Sequence, residues 1–343
     1  MGTSLTNSTV PEEKIHPLRQ TVSWIIGCTW KKLQSPVIVG IVAILLSSWF
    51  IRTPYTWVRY LLKWPFRIRN KKKIAIGPLT DLFQYGNIEW KGDTKQAETM
   101  RRAYEDIYLA HNIKRMRKIR GDNYCALRAV LFQILSQGIP LPSWMRDQDV
   151  TKIPEKVFTQ GCNWVQLFCF GPEKYTGNNV FGKLRKYLEL FKVQWINIHG
   201  IKDQEKRTEM CMKLFSDQEN EYKMYEAMKF LMLHVVVELH EDLKNGEDVP
   251  GFCGFFFARD SSSDPLSFMM NHLNYVGDTG GLEQIEMFLL GFTFHLKIRT
   301  FRLYKYGTEE FLSCYPEDCH REWHEVLLLT EDDRHYNVPI TWS

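Results

Sequence analysis

A polar loop runs directly into an apolar helix in the segment Arg120-Gly121-Asp122-Asn123-Tyr124-Cys125-Ala126-Leu127-Arg128. The helical spacing of apolar residues continues to residue 137, and Asp122 and Asn123 are residue types that cap helix N-termini. Cys125 then lies in the first helical turn, where unpaired N–H groups and the helix dipole stabilise a thiolate. The segment therefore predicts either a nucleophilic cysteine or a buried thiol that only fills space.

A nucleophilic cysteine needs a base, and the base needs a group that orients it. The C-terminal segment Asp332-Asp333-Arg334-His335-Tyr336-Asn337-Val338-Pro339-Ile340 alternates as a strand does, which places His335 and Asn337 on one face. The Asn337 amide could fix the imidazole there. A histidine and an asparagine on an exposed edge strand is the alternative, because spacing alone does not bring Cys125 to His335.

Charge is distributed unevenly along the chain of 343 residues, which is 44% hydrophobic and 24% charged. That composition excludes wholesale disorder and a multi-pass membrane protein. Residues 1–73 contain 12 of the 44 Lys and Arg residues but only 2 of the 40 Asp and Glu residues. This leader alone makes the pI basic, so we expect no nucleic-acid partner.

The leader contains an uncharged stretch from Leu33 to Ile51, close to the length that spans a hydrocarbon core of about 30 Å. A single membrane span at about 33–51 is the preferred prediction. An in-plane or re-entrant anchor and a soluble core helix are the alternatives. The C-terminal flank is the more basic one, which predicts a cytosolic body. We therefore expect a leader at 1–78 and a globular domain at 79–343.

The pattern of the body predicts an α+β (mixed α/β) fold, with helices packed on a small sheet. Helical spacing covers 94–112, 125–137, 182–194, 222–243 and 282–292, and strand-like runs cover 252–258, 294–304, 326–330 and 335–340. The helix at 222–243 is apolar on nearly every side, which indicates burial rather than a second span.

Several chemistries have no signature in the sequence, which lacks a Walker A loop, GxGxxG, HExxH and GxSxG. The eight cysteines are scattered without a CxxC pair, which indicates a reducing compartment. Cys314, Cys319 and His320 could form half of a metal site, but no second half follows at a suitable spacing. We therefore expect a loop there, no metal and no cofactor.

The two chemical segments together resemble the otulin family, ovarian-tumour-type (OTU) deubiquitinases with a papain-like fold, taken as peptidase family C65. The resemblance covers residues 79–340. It rests on matches in one order along the chain: Glu89-Trp90-Lys91-Gly92, Leu141-Pro142-Ser143-Trp144, Tyr225-Glu226-Ala227, Ala258-Arg259-Asp260, Asp264-Pro265, Asn271-His272-Leu273-Asn274 and Gly280-Gly281-Leu282-Glu283-Gln284. The leader and the segment 170–177 resemble the membrane-associated otulin-like branch, which implies endoplasmic reticulum and nuclear-envelope membranes.

The resemblance implies a cysteine deubiquitinase for Met1-linked (linear) ubiquitin chains that needs no cofactor. Cys125 would be the nucleophile, His335 the general base and Asn337 the orienting residue. Asp122 would restrain the histidine until substrate arrives. Trp90 and Tyr85 match contacts to the proximal ubiquitin, and Glu310 and Phe255 match positions on the distal-ubiquitin surface.

The chain also departs from the family pattern. Members of the otulin-like branch are regarded as inactive because an aspartate replaces the cysteine, whereas this chain keeps Cys125. His240 stands where the family has a tyrosine that contacts substrate. The C-terminal residues Thr341-Trp342-Ser343 lack the family's PDZ-binding tail, so we expect no partner through that motif. An inactive membrane scaffold, a pseudoenzyme, is therefore the alternative prediction.

Overall fold

The fold is described from a computed structural model, which covers residues 74–173, 177–257, 262–317 and 321–342. The predicted membrane segment at 33–51 lies outside these residues. The helices are α1 (Leu82–Glu89), α2 (Lys95–Leu109), α3 (Cys125–Gln137), α4 (Ser143–Asp147), α5 (Ile153–Thr159), α6 (Val180–His199), α7 (Gln204–Leu214), α8 (Gln218–Asn245), α9 (Cys253–Phe257), α10 (Pro265–Asn271) and α11 (Gln284–Phe294). The strands are β1 (Ile76–Asp81), β2 (Arg115–Ile119), β3 (Leu296–Arg302), β4 (Leu312–Tyr315), β5 (His324–Thr330) and β6 (Tyr336–Ile340).

The strands form a single six-stranded sheet in the order β1-β2-β6-β5-β3-β4. Neighbouring strands are antiparallel except β3 and β5, which run parallel from Leu296 opposite His324 to Arg302 opposite Thr330. Every residue of β6 is buried, so this strand is central although it comes last in the sequence. The predicted mixed α/β fold with helices on a small sheet is confirmed.

Helix α3 lies in the core, with every residue from Cys125 to Ser136 buried. It packs on β5 and β6 and thereby carries its first residue to the end of the sheet. Gly138 ends the helix in the left-handed conformation, with φ of 69°, and its N–H closes the last turn. The long helix α8 lies beside α3 and is buried through its middle, as the apolar run at 222–243 predicts.

Residues 252–258 are predicted to be a strand, and this prediction is wrong. Cys253–Phe257 is a short helix, in which Phe252 and Phe256 are buried while Phe255 is exposed. Burial at a spacing of four residues is helical, and Phe252 packs on Phe288 of α11 instead of pairing with a strand. Sequence periodicity could not separate the two forms in a run this short and apolar.

The sheet begins before the predicted domain start at residue 79. Ile76, Gly77 and Pro78 lie in β1, which pairs with β2 from Ile76 opposite Ile119 to Asp81 opposite Arg115. Neither strand was predicted, because β2 (RMRKI) is rich in basic residues and alternates only weakly. Within the described residues, no helix combines the length and apolarity required to cross a membrane.

Candidate active site

Cys125 begins α3, directly after the loop 120–124, so the predicted position in the first helical turn is confirmed. The turn is closed by the Cys125 N–H, which donates to the Asp122 carbonyl at 3.1 Å. The capping prediction is wrong, because Tyr124 occupies the N-cap position and caps with no side-chain bond. The Asp122 carboxylate instead accepts the N–H of Tyr124 at 3.0 Å, one residue before the helix begins, and it also binds two arginines.

The Cys125 thiol is only 3% exposed, and Sγ donates to the carbonyl of Arg334 at 3.4 Å. Burial raises the pKa of this thiol above its ordinary value of 9.0, although a backbone N–H of Tyr336 acts in the opposite direction. The thiol form is therefore favoured in the free chain. The helix N-terminus predicts a stabilised thiolate, and here its effect is outweighed by burial.

His335 lies beside the loop that precedes Cys125. A Cβ placed on Gly121 would lie 3.9 Å from both Cε1 and Nδ1 of the imidazole. The His335 N–H donates to Oδ1 of Asp332 at 2.7 Å, which fixes the turn into β6. Within the described residues, the imidazole makes no hydrogen bond to Cys125 or Asn337, so the predicted pairs are adjacent but not joined.

Asn337 is buried in β6, and its Oδ1 accepts from the Ile119 N–H at 3.0 Å. The side chain thus continues the β2–β6 ladder one step beyond the pair Arg117 and Val338. This bond satisfies a backbone group that would otherwise be buried without a partner. To orient His335 as predicted, the amide would have to give up this bond or share its oxygen.

Asp122 forms the centre of a buried ionic network rather than a contact with His335. Its Oδ1 accepts from Arg128 at 2.6 Å, and its Oδ2 accepts from Arg128 at 2.8 Å and from Arg120 at 2.7 Å. Both arginines also pair with Glu221 of α8, which is fully buried. Burial acts to raise the pKa of Asp122, but Arg128, Arg120 and the Tyr124 N–H together outweigh it and hold the pKa below 3.8. The predicted restraint of His335 by Asp122 is not a contact in this structure.

The two residues predicted to contact the proximal ubiquitin lie near one carboxylate. The Trp90 indole donates to Oε1 of Glu331 at 2.7 Å, and the Tyr104 hydroxyl donates to the same oxygen at 2.7 Å. Tyr85 is 8% exposed and packs edge-on against Tyr104. Burial, with Glu331 and Glu89 nearby, raises its pKa. Trp90, which is half-buried, is thus the more available of the two predicted contacts.

The two residues predicted on the distal-ubiquitin surface are both accessible. Phe255 on α9 is 65% exposed. Glu310 is exposed and pairs with Lys305 at 2.7 Å, which lowers its pKa. His240, the departure noted above, lies with its ring 4.9 Å from that of Phe257 on the same short helix as Phe255.

A cleft of about 590 Å³ opens beside the loop that precedes Cys125. One wall is the segment 279–284, and Thr300 and Thr330 contribute from the sheet. The opposite wall and the end nearest Cys125 are formed by Asp122, Asn123, Asp333, Arg334 and Tyr336. Asp122, Glu283 and Asp333 contribute acidic groups to the lining, and Arg302 and Arg334 contribute basic ones.

A family model described as "Peptidase family C101" matches residues 74–340, which cover β1 to β6 and therefore the whole cleft. The chain belongs to peptidase family C101. The resemblance implied peptidase family C65, and the matching family model corrects this to C101. The described residues of this C101 chain contain no cluster of three or more His, Cys, Asp or Glu side chains able to hold a metal ion.

Solved structures share this fold at low sequence identity. A ceOTUB1 ubiquitin aldehyde UBC13~Ub complex contains a chain that is 13% identical, with a TM-score of 0.54 over 80% of this chain and 96% of that chain. An h/ceOTUB1-ubiquitin aldehyde-UBC13~Ub structure gives 12% identity and a TM-score of 0.56, over 84% and 100% of the two chains. The C101 chain therefore has an OTU-type deubiquitinase fold.

Three site residues escaped the sequence analysis: Arg128, Glu221 and Glu331. Arg128 lies at the end of the segment 120–128, which runs from the loop into α3. It follows Cys125 by three residues and is therefore one turn along the same face of the helix. Glu221 and Glu331 gave no local signal, because each acts on residues 90 or more positions away.

Proposed function

We propose that this chain is a cysteine deubiquitinase that hydrolyses Met1-linked ubiquitin chains, with Cys125 as nucleophile, His335 as base and Asn337 as the orienting residue. One observation carries the proposal. In a C101 chain, Cys125 begins a helix at the end of a cleft, with His335 against the same loop. A nucleophile at a helix N-terminus beside a base has the parts that peptide hydrolysis needs.

The chemical steps follow from these positions. His335 takes the Cys125 proton, and the thiolate attacks the carbonyl of the C-terminal glycine of the distal ubiquitin. The N–H groups at the start of α3 stabilise the oxyanion, and protonated His335 then gives its proton to the leaving amine. A water activated by His335 hydrolyses the thioester and regenerates the thiol.

The free chain must rearrange before the first step. Sγ donates to the Arg334 carbonyl, and the Asn337 amide binds the Ile119 N–H. His335 is the last residue of the turn 332–335, in which residues 332–334 are exposed. The proposal requires this turn to move so that the imidazole reaches Sγ, and substrate in the adjacent cleft would favour that movement.

Ubiquitin chains are the proposed partner because the cleft and the flanking surfaces suit them. Solved neighbours of the same fold are complexes with ubiquitin aldehyde, and that property is carried over here as a proposal. Trp90 lies on one side of the active centre, and Phe255 and Glu310 are exposed elsewhere on the surface. Trp90 would contact the proximal ubiquitin, and Phe255 and Glu310 would contact the distal ubiquitin.

The leader is proposed to hold this domain at a membrane. Residues 33–51 would form the anchor, and the basic flank that follows would keep the domain in the cytosol. The endoplasmic reticulum and nuclear envelope are the proposed membranes, on the resemblance of the leader to the otulin-like branch.

A second candidate function is an inactive membrane scaffold, and two observations favour it. The thiol pKa is raised rather than lowered, and His335 is not bonded to Cys125. Reaction of the full chain with linear di-ubiquitin that carries an electrophile between its two ubiquitins separates the candidates. The deubiquitinase forms a covalent adduct on Cys125 that Cys125→Ala and His335→Ala abolish. A scaffold forms no adduct, or forms one at another cysteine.

A further inference from the structure

Helix α8 carries a buried ion pair whose role the proposed reaction does not explain. Lys229 and Glu226 are 0% and 2% exposed. The ammonium donates to Oε2 of Glu226 at 2.9 Å and also to the carbonyls of Val276 at 3.0 Å and Cys169 at 3.1 Å. Burying two charges is expensive, and an apolar pair would fill the space at a lower cost. The two carbonyls that Lys229 binds belong to separate loops, which indicates that the ion pair holds these loops in place.

The partner of Glu226 on the other side is the residue before the nucleophile. The Tyr124 hydroxyl donates a short hydrogen bond to Oε1 of Glu226. The Tyr124 ring lies 5.2 Å from the ring of Tyr222 and 5.1 Å from that of Tyr225. Tyr124 is 2% exposed, so its ring and its hydroxyl are both fixed.

Gly277 closes the site around this ring. Its φ is 87°, and a Cβ added there would lie 2.0 Å from Cζ of Tyr124. Glycine is therefore required at this position for two reasons. The backbone has a positive φ, and the Tyr124 ring occupies the space that a side chain would need. The turn containing Gly277 is the one that Lys229 holds through the Val276 carbonyl.

The same turn leads directly into a wall of the cleft. Residues 279–284 form that wall, and Nδ2 of Asn123 donates to the Asp278 carbonyl at 2.7 Å. The Glu226–Lys229 pair thus holds the nucleophile loop through Tyr124 and the cleft wall through Val276. The two sides of the entrance to Cys125 are fixed to one turn of one helix.

We propose that Glu226 and Lys229 are positioning residues that set the nucleophile loop against the cleft wall, with Tyr124 as the connecting side chain. They touch neither Cys125 nor the space a substrate would fill. They determine where the N–H groups of residues 123–125 point and how closely the Cys125 thiol is covered. The part of this inference that concerns hydrolysis rests on the proposed function, and the part that concerns the thiol does not.

The experiment compares the full chain with Tyr124→Phe, which removes one hydroxyl and keeps the ring. Iodoacetamide labelling followed by mass spectrometry gives a separate rate for each cysteine. We expect Cys125 to be labelled at least about threefold faster in Tyr124→Phe, because the loop no longer covers the thiol as closely. The buried cysteines Cys162, Cys211 and Cys253 should keep their rates, which general destabilisation would raise together.

Tyr225→Phe is the matched control, because its buried hydroxyl donates to Glu221 of the same helix at 2.9 Å. Glu221 keeps both arginines in this variant, so Cys125 should keep its wild-type rate while the melting temperature falls. An unchanged Cys125 rate in Tyr124→Phe would overturn the inference, and so would a joint rise of all four cysteines. If Tyr124→Phe does not fold, Glu226→Gln decides by the same rates, since it keeps an acceptor for Tyr124 and loses the charge facing Lys229.

Hydrolysis of linear di-ubiquitin supplies the second readout. We expect Tyr124→Phe to lower kcat by about tenfold, since misplaced oxyanion donors act on the transition state. A wild-type chain that cleaves nothing refutes the proposed function and leaves the labelling rates to decide the positioning role. A Tyr124→Phe chain that cleaves as fast as wild type contradicts the positioning role alone.

Discussion

Two opposing effects act on the nucleophile itself. The start of α3 favours a thiolate through its free N–H groups and dipole, and burial of Sγ favours the thiol. Burial is the larger effect on Cys125, while the hydrogen bond to the Arg334 carbonyl gives the thiol proton a fixed acceptor. The resting state is therefore one in which the nucleophile is protected.

This resting state predicts slow chemistry at Cys125 without ubiquitin. A raised thiol pKa leaves less thiolate at neutral pH, so at pH 7 we expect Cys125 to react with iodoacetamide more slowly than the exposed Cys169. The Cys125 rate should increase with pH until the pH exceeds 9.0, the ordinary thiol value. A Cys125 rate above that of Cys169 at pH 7 would show a stabilised thiolate and contradict this reading.

Asp122 provides the second test at this scale, and here the structure and the family resemblance predict opposite results. Asp122→Asn leaves the fully buried Arg128 short of a counter-charge, so we expect a loss of about 2 kcal/mol of stability and slower cleavage. If Asp122 instead restrained His335, the substitution would speed cleavage. Thermal unfolding and di-ubiquitin hydrolysis measure the two effects, with the exposed Asp149→Asn as control.

The Asp122 contribution also has a defined pH dependence. Its pKa is lowered in the folded chain, so the stability it supplies is present above 3.8, the ordinary value. That stability is lost as the pH falls through the lower folded value. Wild type and Asp122→Asn should therefore differ in melting temperature at pH 6 and converge in strong acid, which differential scanning measures.

At the scale of elements, the active centre is built where α3, the 276–284 segment and the β5–β6 turn meet. Each is held by residues distant in sequence: Glu221 and Glu226 hold the loop before α3, and Glu331 holds the side chains beside the turn. The candidate triad could be predicted because the Cys125 and His335 segments carry local signals. The carboxylates that hold these segments could not be predicted. Their partners lie 90 or more residues away, so no local sequence pattern indicates the pairing.

The glycine turn tests this element-level packing. Gly277→Ala places a methyl group against Tyr124 and also strains a backbone with φ of 87°. Gly307→Ala is the matched control, because its φ is 82° and nothing lies within 4 Å of an added Cβ. We expect Gly307→Ala to lose about 1 kcal/mol and Gly277→Ala about 2 kcal/mol more, measured by denaturant unfolding. Equal losses of stability in the two variants would mean that the Tyr124 ring moves aside at no cost.

The turn between β5 and β6 tests the predicted ubiquitin contact. Glu331→Ala removes the acceptor of Trp90 and Tyr104, so we expect linear di-ubiquitin to bind Cys125→Ala protein about tenfold more weakly when this change is added. Glu331→Gln keeps a carbonyl acceptor and should retain most of the affinity. Glu325→Ala, an exposed carboxylate on β5, should have no effect. Equal affinities of the three variants for linear di-ubiquitin would show that Trp90 is not part of the binding surface.

Across the whole molecule, the sequence predicted the fold class, the buried α8 and the strands β3, β5 and β6, because these carry strong periodicity. It missed β1, β2 and β4 and assigned 252–258 wrongly, where runs are short or charged and tertiary packing decides the form. The resemblance added the domain type, which periodicity could not supply. The leader remains a prediction of an anchor joined to the OTU-type domain.

The proposed membrane attachment depends on the leader and is therefore tested on the full chain. Placing Asp at Ile41 and Leu45 together puts two charges inside the uncharged stretch, at a cost of about 2.5–3.5 kcal/mol each near a bilayer centre. We expect this variant to leave the membrane pellet that retains the wild type. The control has Asp at Ser8 and Thr9, outside the stretch, and should still pellet. Equal pelleting of all three chains would contradict the anchor.

Cleavage of Met1-linked di-ubiquitin by the purified full chain tests the central claim most directly. Mono-ubiquitin produced over time is followed on gels for wild type, Cys125→Ala and His335→Ala. We expect the wild type alone to release mono-ubiquitin, while Cys125→Ala still binds the dimer. If the wild-type chain neither cleaves nor binds linear di-ubiquitin, the proposed function is wrong and the OTU-type domain is a scaffold.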